Sequence, residues 1–130
     1  MPACLRVVLL GHGQDYEEAR LRELCDCTIF GTKAEQAVEA MRKLGFRGTS
    51  KQNLRWNDLA VQANRNALPI VFVNLLPLNG IKGEHSLIAL GVTESEVTVY
   101  DPLQGERILP SVSSEAAWAA MRNLTILIAS

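Results

Sequence analysis

Residues 83–102 read Gly-Glu-His-Ser-Leu-Ile-Ala-Leu-Gly-Val-Thr-Glu-Ser-Glu-Val-Thr-Val-Tyr-Asp-Pro, and the pairing within this stretch decides the fold. Two apolar, β-prone runs, 86–92 and 97–100, flank a polar turn, which is the pattern of a hairpin. With the turn centred on Thr93, Leu87 opposes Val99, Ala89 opposes Val97, and His85 opposes Asp101. Opposed residues share a face, with Cβ atoms about 4.5–5.5 Å apart, close enough for an imidazole–carboxylate hydrogen bond. Such a bond fixes the imidazole tautomer and stabilises its protonated form, which a general base working with a nucleophile requires. Pairing alone also suits two ordinary strand-end residues, and a slipped register would send them to opposite faces.

Outward from this hairpin, the second half of the chain is strand-rich. Residues 70–73, Ile-Val-Phe-Val, form a buried strand, and 77–83 a loop with two glycines. Residues 107–109 suit a further strand, 114–121 a short helix, and 124–129 a closing strand. The first half is helical. Pro2 suits a first helical position and Gly11 an end, which predicts a helix over 2–10. A second helix is expected over 15–24. In the third, Thr32 and Glu35 form a capping box, Ala34, Ala37, Val38, Met41 and Leu44 share one face, and Gly45 closes it. Residues 47–53 are polar and read as loop, and 57–66 as a helix capped near Asn57 or Asp58. Helices first and antiparallel strands second define an α+β fold, with helices packed on a C-terminal sheet. No repeat, low-complexity tract or linker divides it, so one domain over 1–130 is expected.

Composition narrows the function. Apolar residues make up 48% and charged residues 21% of the 130, an ordinary globular balance. The net charge of −1 argues against capture by nucleic acid or an anionic membrane, which needs a basic surface. No apolar run is long enough to cross a bilayer, so membrane insertion is not expected. Cys4, Cys25 and Cys27 are odd in number and lack framework spacing, which points to thiols in a reducing, cytoplasmic setting. Cys25 and Cys27 are too few for a structural zinc site, so neither metal nor cofactor is expected. His12 has no motif around it and reads as a solvated residue at a helix end.

The segment His85, then the apolar run 87–90, Gly91, and Val97-Thr98-Val99-Tyr100-Asp101-Pro102 resembles the papain-like cysteine peptidases that process double-glycine leaders of bacteriocins, together with their stand-alone bacterial relatives. Gly31-Thr32 before a helix ending Lys43-Leu44-Gly45-Phe46, the strand Leu68-Pro69-Ile70-Val71, Trp118 and the apolar tail from Leu124 are similar to other parts of that family. The resemblance implies a papain-like fold, a peptide or protein substrate, and a Cys-His-Asp arrangement with His85 as base and Asp101 as its orienting carboxylate.

Pro2-Ala3-Cys4-Leu5 also resembles the family's nucleophile motif, which runs close to Cys-Gly-Pro-Ala-Cys-Leu. In that alignment Met1 takes the glycine's place, the nucleophile precedes Met1, and Cys4 matches the family's second, non-catalytic cysteine. The oxyanion glutamine likewise falls upstream. Cys4 is the alternative nucleophile, but one helical turn displaces it by roughly 6 Å along the axis. Attack needs reacting atoms within about 3–3.5 Å. The 130 residues as written are therefore expected to lack peptidase activity. A catalytically degenerate peptide-binding module is the competing reading, and an unrelated α+β binding domain a third.

Overall fold

The computed structural model describes residues 1–26 and 33–130. Its elements are α1 (Pro2–Gly11), α2 (Glu18–Leu24), α3 (Ala34–Lys43), β1 (Ser50–Asn53), α4 (Trp56–Asn64), β2 (Ile70–Asn74), α5 (Leu76–Asn79), β3 (Glu84–Val92), β4 (Glu96–Asp101), β5 (Gly105–Pro110), α6 (Ser111–Ala119) and β6 (Leu124–Leu127). The strands form one antiparallel sheet in the order β1-β6-β2-β3-β4-β5. The closing strand β6 thus sits inside the sheet, between β1 and β2.

Period-two alternation divides the strand residues between two cores. Ile70, Ile88 and Ile126 pack with Cys4, Leu5, Val8 and Leu9 of α1, Leu21 of α2, and Ala37, Val38 and Met41 of α3. Val71, Val73, Leu87, Ala89, Val97 and Val99 pack on the other face with Leu59 and Ala63 of α4 and Ala117 and Trp118 of α6. The sheet is therefore covered on both faces, not only by the N-terminal helices. Trp118 is 1% exposed, and its indole N–H donates to Leu124 O at 3.1 Å, so the polar end of the ring is satisfied inside the core.

Several local expectations are corrected. Residues 47–53 do not remain loop, because Ser50–Asn53 pairs with β6. As the outermost strand, β1 is held by backbone bonds and exposes polar side chains, so it carries no apolar alternation. Residues 77–83 are not all loop. Pro77 lies in the first turn of α5, a position that does not need its missing N–H, and Gly80 ends that turn in the left-handed conformation at φ 78°. Helix α4 is capped at Arg55, not at Asn57 or Asp58. The Trp56 ring meets Trp118 edge-on at 6.0 Å, and that contact belongs to the helix's first turn. Helix α3 starts from Lys33, whose N–H donates to Gln36 Oε1 at 3.1 Å. The expected cap Thr32, with Gly31 and Cys27, lies outside the described residues. No helix among the described residues is long and apolar enough to cross a membrane.

Candidate active site

The ends of β2 and β4 and the starts of β3 and β5 meet at one end of the sheet. His85 opens β3 there and Asp101 closes β4. The hairpin between them is not centred on Thr93. Val92 pairs with Val97 and Gly91 with Thr98, while Thr93 N–H donates to Glu96 O, so the centre lies between Glu94 and Ser95. Carried unbroken along the strands, that register would put His85 and Asp101 on opposite faces. A bulge prevents it. Leu90 has no partner in the ladder, and the pairing resumes as Ala89 with Val99 and Ile88 with Tyr100. One extra residue restores the face parity. His85 then stands one diagonal step from Asp101, not directly opposite, and its far ring nitrogen spans the gap: Nε2 lies 3.0 Å from Asp101 Oδ1.

Asp101 is well held. Its side chain is 4% exposed. Oδ1 also accepts the Leu103 N–H at 2.9 Å, and Oδ2 faces Arg107 Nη1 at 3.5 Å. Burial pushes its pKa up. The hydrogen bonds from His85 and Leu103 and the charges of His85 and Arg107 outweigh burial and hold it below the usual carboxylate range. An ionised carboxylate only accepts, so Nε2 of His85 carries the proton in this bond and the neutral ring leaves Nδ1 unprotonated. Arg107 is the residue that sequence reading did not assign to this group. Its place follows from the register of β5, where Val99 pairs with Arg107 and so sets Arg107 diagonally from Asp101 on the same face, a pairing that no pattern within β5 signals.

Helix α1 reaches this end of the sheet by its N-terminal turn. Cys4 Sγ donates to the carbonyl of Ser86, the residue after His85, at 3.4 Å. At the other end of the helix, Gly11 lies against Leu68, ahead of β2, so α1 and β3 run in the same direction. Cys4 itself is fully buried, and burial pushes its thiol up to about 12, with Asp101 raising it further against the lowering effect of the amino terminus. A thiolate is the reactive form, so this thiol is inert at neutral pH. The structure brings His85 and Asp101 together and leaves Cys4 engaged with backbone.

A partly exposed imidazole bonded to a buried carboxylate at the sheet end, met there by the N-terminal turn of a helix, is the arrangement of the papain-like class of cysteine peptidase folds. Within that class the chain belongs to the Peptidase C39 family, which it matches over residues 1–129. The peptidase domain of Streptococcus ComA, a bi-functional ABC transporter involved in a quorum-sensing pathway, superposes with a TM-score of 0.75 at 28% identity, covering 98% of this chain and 88% of that one. A C39-like peptidase from Bacillus anthracis gives a TM-score of 0.79 at 15% identity over 99% of this chain and 87% of the other. The peptidase domain of Streptococcus mutans ComA gives 0.57 at 19% identity, with 86% of each chain covered. No curated protein matches the chain.

Proposed function

We propose that this domain cleaves peptide bonds with a thiol presented at the N-terminal end of α1, one turn ahead of Cys4, and that His85 and Asp101 serve that thiol. The observation that carries the reading is the 3.0 Å bond from His85 Nε2 to Asp101 Oδ1, which leaves Nδ1 as the free base. One turn back from Cys4 is roughly 6 Å along the axis, nearly two residues of a strand that runs the same way. From Ser86 that interval passes His85, which brings the thiol to the open end of the sheet. Nδ1 takes the thiol proton, the thiolate attacks the scissile carbonyl, and the imidazolium returns the proton to the leaving amine. Water then hydrolyses the thioester by the reverse sequence. Asp101 stays ionised throughout and holds the ring.

Cys4 does not fill the role, because its thiol is sealed, bonded to Ser86 and driven away from the thiolate form. With Cys4 sealed, His85 has no thiol to serve among the described residues, so cleavage by this mechanism requires the thiol one turn ahead of Cys4. The test is peptide cleavage by the 130-residue chain and by a form carrying Met1→Gly, preceded by Cys and an upstream segment with Gln. The second form cleaves, and loses cleavage on His85→Ala but not on Cys4→Ala. Cleavage by the unextended chain that disappears on Cys4→Ala would overturn the assignment.

A further inference from the structure

Three strands contribute one side chain each to a diagonal line across the sheet end: His85 from β3, Asp101 from β4 and Arg107 from β5. The two oxygens of the central carboxylate are divided between its neighbours. Oδ1 takes His85 Nε2 and the Leu103 N–H, while Oδ2 faces Arg107 Nη1 at 3.5 Å as an ion pair. A carboxylate held only through Oδ1 can rotate about its Cβ–Cγ bond and exchange oxygens, which moves the acceptor out of the imidazole plane. A cation on Oδ2 opposes that rotation.

We infer that Arg107 is a positioning residue, which anchors Oδ2 of Asp101 so that Oδ1 stays committed to His85 Nε2. It touches neither the scissile bond nor the thiol, and acts through Asp101. The inference rests on the peptidase reading for its purpose, but its geometry stands apart from any nucleophile. Arg107 sits on the outermost strand with 36% of its side chain exposed, so replacing it leaves the cores intact. The charged groups around the carboxylate are His85 from β3 and Arg107 from β5, with the Cys4 thiol of α1 also within its field.

The experiment reads the tautomer of neutral His85 by nitrogen NMR on the 130-residue chain, which needs no turnover. The unsubstituted chain shows His85 protonated at Nε2. Arg107→Ala and Arg107→Gln shift a measurable fraction to the Nδ1–H form without changing the melting temperature by more than a few degrees, and Arg107→Lys restores most of the Nε2–H form. In the extended, cleaving form, Arg107→Ala lowers kcat by about fivefold with KM nearly unchanged, the scale of a half-exposed ion pair. An Arg107→Ala tautomer ratio identical to that of the unsubstituted chain would overturn the inference while leaving the His85–Asp101 pair standing. If Asp101→Ala, which removes the acceptor, also leaves the ratio unchanged, the pair itself is absent, and both this inference and the peptidase reading fall.

Discussion

Replacing Asp101 with alanine removes the acceptor on which the sheet end converges. The side chain is 4% exposed, so the bonds it accepts are shielded from solvent. Two bonds matter most, from His85 Nε2 at 3.0 Å and from Leu103 N–H at 2.9 Å. Hydrogen bonds to a charged group contribute about 1.5–3 kcal/mol each. They share one oxygen and are not additive, and the half-exposed Arg107 contributes about 1 kcal/mol or less. The expected cost of Asp101→Ala is therefore about 3–4 kcal/mol, or a melting temperature lower by about 10 °C. Asp101→Asn keeps one acceptor and costs about half as much. The pH dependence carries a sign. Because the folded pKa of Asp101 is depressed, the unfolded chain takes up its proton first as pH falls. The stabilisation is complete above the unfolded value of about 3.9 and is lost as pH drops through the folded value, at no more than about 1.4 kcal/mol per unit. Urea denaturation at pH 7 and at steps below pH 4 should show the gap between the unsubstituted chain and Asp101→Asn closing in that window. A cost below about 1 kcal/mol for Asp101→Ala at pH 7, or a gap that does not narrow in acid, would refute the reasoning.

Trp118→Ala should cost about 3–5 kcal/mol in denaturant titrations, because it empties the centre of the second core and orphans the carbonyl of Leu124. Deleting Leu90 should remove the bulge while keeping Ala89 opposite Val99, so His85 stays on the face of Asp101 and keeps its Nε2–H tautomer, whereas inserting a residue beside Leu90 should shift His85 by one position and lose it. Cys4 should resist iodoacetamide at pH 8 in native buffer and react in denaturant, as located by peptide mass spectrometry.

What was legible in the sequence tracks burial. The strand at Ile70 and the apolar face of α3 announce themselves because each buries a repeated set of side chains. The strand β1 does not, since an outermost polar strand is specified by its partner's backbone. Proline and glycine around α5 predict a loop from sequence, although both residues also begin and end short helices. For His85 and Asp101, the shifted turn centre and the bulge nearly offset each other, so a symmetric hairpin still predicts their shared face. The turn centre lies beyond Thr93, and the Leu90 bulge returns the strands to the right parity. A bulge of this kind leaves little trace in local sequence, because Ala89, Leu90 and Gly91 continue an apolar run on either reading. Arg107 escaped notice because its role depends on the third strand's register, which no pattern within β5 fixes.

The measurement that bears most directly on the account is the pH profile of alkylation of a cysteine placed one turn ahead of Cys4, in the form carrying Met1→Gly with Cys before it. If His85 and Asp101 serve a thiol at that position, its reactivity rises to a plateau well below the ordinary cysteine pKa of about 8.5. His85→Ala then moves the profile back to that ordinary value, while Cys4→Ala leaves it in place. A profile centred near the ordinary value and indifferent to His85→Ala would contradict the assignment of this sheet end as the site that serves the thiol.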